Sequence, residues 1–100
     1  MKTALILMAQ YDGRAIIPLW EICRDYFNHL TPDAFVERAK AGEIQIPIVY
    51  VDDSKRTPRG VHLADLATYI DRRLKAARAE CRKLTGVPYG TQRQRAAGSA

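Results

Sequence analysis

Apolar residues recur at helical spacing in several segments of this chain. After Pro18, the residues Leu19, Ile22, Cys23 and Tyr26 occupy positions i, i+3, i+4 and i+7. This spacing places apolar side chains on one face of a helix. Because proline suits the first turn of a helix, the pattern predicts a helix that begins at Pro18.

A second helix is predicted after a short break. The segment 31–33 (Thr-Pro-Asp) supplies an N-cap hydroxyl, a proline at the first helical position and a carboxylate near the positive end of the helix dipole. Phe35, Val36 and Ala39 form its inner stripe, and Gly42 is a suitable stop. Two helices joined by a short turn have the outline of a helix-turn-helix.

A β-type run and a basic loop follow the second helix. Residues 46–51 are rich in β-branched and aromatic side chains, and residues 61–62 form a plausible return strand. The loop between them carries Lys55, Arg56 and Arg59. A hairpin with a basic tip after a helix-turn-helix is typical of a wing. An exposed turn with solvated charges is the alternative interpretation.

The clearest periodicity belongs to the last predicted helix, whose face opposite the apolar stripe is basic. We expect the apolar stripe to close the core against the first two helices. The sequence beyond Gly86 has no periodicity, so we expect one domain over residues 1–84 and a flexible tail over residues 85–100. The apolar stripe consists of Leu63, Leu66, Ala67, Ile70, Leu74, Ala77 and Cys81.

The apolar run at residues 3–9 is compatible with a helix or a strand, because a short continuous run has no diagnostic period. Residues 12–13 (Asp-Gly) predict a turn. If the run is a strand, this turn would close a hairpin with residues 16–17, and the free strand edge would be able to pair with another chain. The fold class predicted from these patterns is mainly α with a small β-hairpin wing, a winged helix-turn-helix.

Positive charge is concentrated in the second half of the chain. The 100 residues carry a formal net charge of +5, and 47% of them are hydrophobic, which suits one small domain and excludes a multidomain enzyme. Residues 1–50 contain five Lys and Arg against six Asp and Glu, whereas residues 51–100 contain eleven against five. A local cluster of cations favours a polyanionic partner. A solvated basic helix is the alternative.

Candidate catalytic or metal-binding chemistry is sparse. Cys23 and Cys81 lie on apolar faces of predicted helices, so we expect reduced thiols in the core. With His29 and His62 they lack the short spacing of zinc ligands, and we expect no metal and no cofactor. No nucleophile with a neighbouring base and no Gly-rich phosphate loop is found, so an enzyme is not expected. The apolar run at residues 4–9 is too short for a signal peptide, and we expect a cytoplasmic protein.

Several uncommon strings occur in an order that resembles the pyocin activator protein family, PrtN. The resemblance covers roughly residues 3–75, and the tail after Lys83 lies outside it. The matching stretches are residues 7–13 (LMAQYDG), 17–19 (IPL), 23–27 (CRDYF), 29–32 (HLTP), 41–44 (AGEI) and 60–71 (GVHLADLATYID).

This resemblance implies a small DNA-binding transcription activator that recognises repeated boxes upstream of bacteriocin or phage-derived (prophage-type) genes in a bacterial cell. The layout also resembles the winged helix-turn-helix of phage excisionases, in which a Gly-Glu-hydrophobic-Pro segment leads into the wing. Residues 42–47 (GEIQIP) occupy that place here. Trp20 stands where a polar residue is expected, which suggests a partner contact.

We therefore expect duplex DNA to be the partner, with the second helix in the major groove and the wing on the backbone or in the minor groove. Arg38 is the best candidate for a base contact, because its fork matches guanine O6 and N7. We expect a homodimer or a cooperative oligomer on DNA, a contact to RNA polymerase, a nucleoid location and no membrane. The DNA-binding residues predicted in the second helix are Thr31, Asp33, Glu37, Arg38 and Lys40, and those in the wing are Lys55, Arg56 and Arg59.

Two alternatives remain open at the level of sequence. An excisionase-like architectural factor would bend DNA for a recombinase. A protein-interaction module would instead use the basic helix to dock an acidic partner, and its binding to DNA would be weak and without sequence preference.

Overall fold

A computed structural model describes residues 2–53 and 58–86, and this part of the chain contains four helices and a three-stranded antiparallel sheet. The mainly helical fold with a β-hairpin that was predicted from the sequence is confirmed, and the arrangement agrees with a helix-turn-helix followed by a wing. The helices are α1 (Thr3–Gln10), α2 (Leu19–Tyr26), α3 (Pro32–Lys40) and α4 (Leu63–Thr85), and the strands are β1 (Ile16–Pro18), β2 (Val49–Tyr50) and β3 (Arg59–His62).

The chain divides into two compact units, Met1–Tyr69 and Ile70–Ala100. The first unit contains α1, α2, α3, the sheet and the first two turns of α4, and the second contains the remainder of α4. The tail predicted from residue 85 lies outside the described residues from residue 87 onward.

The N-terminal apolar run is the helix α1. It ends in the predicted turn, where Asp12 and Gly13 have positive φ angles of 56° and 74°, and the Gly13 N–H donates to the Met8 carbonyl at 2.7 Å. Leu7 is buried on its inner face. The alternative that this run is a strand with a free edge is wrong. The backbone N–H and C=O groups of a helix bond to one another, so they offer no strand edge to a second chain.

The sheet has the order β1-β3-β2, with β3 antiparallel to both neighbours. Strands β2 and β3 form the predicted hairpin, whereas the pairing of β1 with β3 was not predicted. Gly60 lies in the central strand, where an added Cβ would be 2.7 Å from Ile16 Cγ2 and 2.8 Å from the Ile17 carbonyl oxygen. This close approach explains a glycine in a β-strand.

Both predicted helices of the helix-turn-helix are present, and α3 is capped at both ends. The Thr31 hydroxyl accepts a hydrogen bond from the Ala34 N–H at 3.1 Å, as an N-cap does. Beyond the last turn, Gly42 has a φ of 79°, and the Glu43 N–H donates to the Arg38 carbonyl at 2.9 Å. This bond is characteristic of a Schellman C-cap. The ends of α3 are therefore determined by local hydrogen bonds.

An aromatic cluster links α3 to its neighbours. The ring of Phe27, which follows α2, contacts Phe35 of α3 edge-to-face at a centroid distance of 4.9 Å, and Tyr69 of α4 at 5.7 Å. Such edge-to-face pairs add to the free energy gained from burial. The largest fully buried side chains come from all four helices or the residues next to them and from strands β1 and β3: Leu7, Tyr11, Ile17, Ile22, Phe35, Val61 and Leu66.

Helix α4 is present as predicted, but its apolar face is buried over a shorter length than expected. It begins where His62 Nδ1 accepts a hydrogen bond from the Ala64 N–H at 3.0 Å, in the manner of an N-cap. The expectation that its whole apolar face closes the core is wrong, because Leu74 and Leu84 are 42% and 77% exposed. Burial in α4 is confined to residues near its start, namely Leu63, Leu66 and Ala67.

Candidate nucleic-acid interface

Helix α3 has one buried and one exposed side. Phe35 and Val36 are 0% and 4% exposed. Since successive residues are rotated by roughly 100°, Glu37 lies on the side opposite these two, between Arg38 and Lys40. The five residues predicted to contact DNA from this region are all exposed: Thr31, Asp33, Glu37, Arg38 and Lys40.

An ion pair joins the first turn of α3 to the wing. Arg59 Nη2 of β3 lies 2.9 Å from Asp33 Oδ1. The Asp33 side chain is 88% exposed, whereas that of Arg59 is 28% exposed. The structure thus brings together two of the predicted DNA-binding residues, one from each element, and part of the positive charge of Arg59 is balanced within the protein. Lys55 and Arg56 lie outside the described residues.

A second ion pair fastens the segment before β1 to α2. Arg14 donates from Nη1 and Nη2 to the two carboxylate oxygens of Glu21, each at 2.8 Å, and its Nε donates to the Tyr11 carbonyl at 3.1 Å. The hydrogen bonds from Arg14 hold the pKa of Glu21 below its ordinary value. A bidentate guanidinium–carboxylate pair fixes the relative orientation of its two segments.

Tyr11 and α2 are joined by a third set of polar contacts. The Tyr11 hydroxyl donates to Asp25 Oδ2 at 2.7 Å, and Arg24 Nε donates to Asp25 Oδ1 at 2.8 Å. The hydrogen bonds from Arg24 and Tyr11 lower the pKa of Asp25. Burial, reinforced by the hydrogen bond to Asp25, raises the pKa of Tyr11 strongly. These contacts fasten the start of the turn after α1 to α2.

Trp20 is exposed on α2 and is stacked with a cation. Its exposed fraction is 58%, and the Arg24 guanidinium carbon lies 5.1 Å from its ring centroid, within the range of a cation–π contact. The predicted partner contact of Trp20 stays a prediction.

The two cysteines differ in their surroundings, and neither is in a disulfide. Cys23 is buried, and this burial raises the pKa of its thiol. Cys81 is partly exposed, so the expectation that both thiols lie in the core is wrong for Cys81, because the core contains only the start of α4. Within residues 2–53 and 58–86, no three His, Cys, Asp or Glu side chains are grouped as a metal site would require. No helix in the described part of the chain has the length and apolar character needed to span a membrane.

Comparison with protein families gives a match over most of the chain. The model of the pyocin activator protein PrtN matches residues 3–77. The chain belongs to the PrtN family. This match confirms the resemblance that was seen in the sequence, and it includes α1, α2, α3, the sheet and most of α4. Searches of curated proteins and of solved structures found no significant match.

Membership of the PrtN family indicates a regulatory protein, an activator of pyocin genes. The PrtN match includes every residue predicted to contact DNA, and it ends at residue 77, before the last turns of α4.

Two ion pairs of the structure were not predicted from the sequence, namely Asp33 with Arg59 and Arg14 with Glu21. The pairing of Asp33 with Arg59 was not predicted because it depends on how the wing folds back onto α3. The Arg14–Glu21 pair had a usable signal, since Glu21 lies between the apolar residues Leu19 and Ile22 in α2. An acidic side chain beside an apolar stripe requires a partner when it becomes buried.

Proposed function

We propose that this protein is a transcription activator that binds specific sequences in duplex DNA through α3 and the wing. The proposal rests on the exposed outer side of α3. This helix is capped at both ends, and the ion pair between Asp33 and Arg59 links it to β3. A short, rigidly supported helix beside a wing is the arrangement that reads the major groove in this class of fold.

The residues predicted to contact DNA have different roles in this proposal. Arg38 contacts a base, because its guanidinium presents two parallel donors that match guanine O6 and N7. Lys40, together with Lys55 and Arg56 of the wing loop, contacts phosphates, and Glu37 discriminates against bases that present only acceptors. The Thr31 hydroxyl oxygen accepts the capping hydrogen bond from the Ala34 N–H, and its O–H donates to a phosphate oxygen of the DNA backbone.

One domain of this size with few cations binds DNA with modest affinity, so we propose that two or more copies bind neighbouring boxes. The bound copies then recruit RNA polymerase to the promoter of a pyocin-type gene. This activity is expected where the DNA is, in the cytoplasm at the nucleoid.

The test is a titration of the protein with a duplex from the upstream region of a pyocin-type gene and with a scrambled duplex at several salt concentrations. We expect tighter binding to the native sequence at every salt concentration. Arg38→Ala should reduce this preference by about tenfold, because one bidentate base contact contributes roughly 1–3 kcal/mol. Replacing Lys55 and Arg56 by Ala should weaken binding to both duplexes alike.

Equal affinity for the two duplexes would contradict the proposal and would favour the protein-interaction module. Strong bending of the duplex without activation of a reporter gene would favour the excisionase-like architectural factor. Lys75→Ala, which removes one cation from α4, is the matched control for Arg38→Ala and should leave the preference unchanged.

A further inference from the structure

The second half of α4 exposes a row of apolar side chains. Leu74 is 42% exposed and Leu84 is 77% exposed, although both belong to a regular helix that continues to Thr85. A contiguous apolar stripe on an exposed helix marks an interaction surface more often than single scattered apolar residues do. We call this row the α4 seam, and it consists of Ile70, Leu74, Ala77, Cys81 and Leu84.

The spacing of the seam is that of a coiled coil. The intervals alternate between four and three residues, so Leu74 and Cys81 occupy the a positions of a heptad and Ile70, Ala77 and Leu84 occupy the d positions. A stripe limited to a and d positions is narrow and matches one partner helix.

The charges that flank the seam indicate what the partner is. On one side, at the e positions, lie Asp71 and Arg78, and on the other side, at the g positions, lie Arg73 and Glu80. Each flank therefore carries one acid and one base. In an antiparallel pair of helices, e positions meet e positions and g positions meet g positions, so the two flanks of one sequence are complementary to themselves.

The register follows from the same residues. When Leu74 of one copy lies opposite Ala77 of the second, Asp71 comes beside Arg78 of the second copy. In the same register, Arg73 comes beside Glu80 of the second copy. Twofold symmetry repeats each pair, which gives four ion pairs. A parallel pair would instead bring Arg73 beside Arg78 of the second copy, a contact between like charges.

Side-chain sizes favour the same register. The antiparallel layers combine a large residue with a small one, Leu74 with Ala77 and Ile70 with Cys81. Alternation of large and small residues fills the space between two helices evenly. A parallel pair would place Ala77 opposite Ala77 and leave a gap in that layer.

We propose that the α4 seam is a self-association surface, on which the same segment of a second copy of this chain packs antiparallel. In this register the paired surface runs from Ile70 to Cys81, because Leu84 falls opposite Ala67 of the second copy, which is buried. So short a surface gives a weak dimer, with a dissociation constant in the micromolar range or above. The proposal does not depend on DNA binding, and its tests use the full chain without DNA.

The first experiment uses charge reversal and sedimentation equilibrium. Arg73→Glu places two glutamates side by side in each g-position pair, and Glu80→Arg places two arginines there. Each single variant should raise the dissociation constant by roughly tenfold, and the double variant should restore it. Because residues seven apart on one helix are not neighbours, restoration requires a second chain.

The control for Arg73→Glu is Lys75→Glu, which makes the same change in net charge away from the a, d, e and g positions and should leave the dimer intact. A chain that remains monomeric at millimolar concentration would overturn the proposal. Failure of the double variant to restore association would overturn it equally. So would tight binding of the seam to anionic vesicles with no self-association, since a basic amphipathic helix also suits a membrane surface.

The second experiment determines the orientation. In the antiparallel register, Ile70→Cys faces the native Cys81 of the second copy, and mild oxidation with oxidised glutathione should give a disulfide-linked dimer on a non-reducing gel. The wild-type chain should not link, because its two Cys81 residues are then about 16 Å apart along the helix axis. Efficient linkage of the wild type through Cys81 would indicate a parallel pair and would contradict the proposed register.

Discussion

Gly60 shows how a single position determines the sheet. It pairs with Pro18 on one side and with Val49 on the other, and a Cβ would come within 2.8 Å of the Ile17 carbonyl oxygen. A backbone atom held in a strand has little freedom to move away, so any larger residue separates β1 from β3.

Gly60→Ala should therefore lower the free energy of unfolding by about 3 kcal/mol, the upper end of the usual cost of overpacking. Urea denaturation followed by circular dichroism measures this change. Gly13→Ala is the control, because Gly13 has a positive φ but open space around it, and its cost should be about 1 kcal/mol from backbone conformation alone. Equal losses of unfolding free energy in the two variants would show that the close contact between Gly60 and β1 does not determine the cost of Gly60→Ala.

At the scale of elements, α3 and the wing are coupled through Asp33 and Arg59. The carboxylate of Asp33 is 88% exposed at the first turn of α3, and it balances part of the charge of Arg59. The pair positions the guanidinium and also reduces its attraction for DNA.

Asp33→Asn should strengthen binding to native and scrambled duplexes alike, by severalfold at low salt, because it removes a negative charge and releases Arg59. The slope of log K against log[salt] should become steeper by about one. Fluorescence anisotropy at four or five salt concentrations measures both effects. Asp12→Asn makes the same charge change in the turn after α1 and should have a smaller effect. Weaker binding of Asp33→Asn to both duplexes would show that the pair holds the interface together.

The sequence predicted elements better than their contacts. Helices α2 and α3 were predictable because their apolar spacing, the Thr31 cap and Gly42 are local signals. Strand β1 was not, because three residues carry no period and its pairing with β3 joins segments far apart in the chain. The extent of burial along α4 was also unpredictable, since periodicity gives the face of a helix that is apolar but not what covers it.

The same distinction between local signals and long-range contacts applies to the candidate site. The exposed residues of α3 followed from helical spacing around Phe35 and Val36. The pairing of Arg59 with Asp33 depends on tertiary structure and has no local signal.

For the whole molecule, acid stability depends on two carboxylates that hold α2 in place. The hydrogen bonds from Arg14 lower the pKa of Glu21, and those from Arg24 and Tyr11 lower the pKa of Asp25. Each carboxylate therefore favours the folded state at neutral pH. This contribution is lost as the pH falls below the ordinary carboxylate range and through the lowered values.

The urea midpoint should therefore decrease as the pH is lowered below about 4.5, the ordinary value for a glutamate. Glu21→Gln should be less stable at neutral pH and should show a smaller decrease in acid. Glu43→Gln removes an exposed carboxylate and should retain the full decrease. An unchanged acid dependence in Glu21→Gln would mean that the Arg14–Glu21 pair does not contribute to folding.

The difference between the two thiols has a practical consequence for measurements on this protein. Cys23 is buried and its raised pKa keeps it protonated, whereas Cys81 is partly accessible to solvent. Maleimide reagents react with thiolates that they reach, so a fluorescent dye should label the native chain almost exclusively at Cys81, and unfolding should make the second thiol reactive. The unaltered protein therefore carries its own attachment point for a spectroscopic probe, together with an internal reporter of global opening.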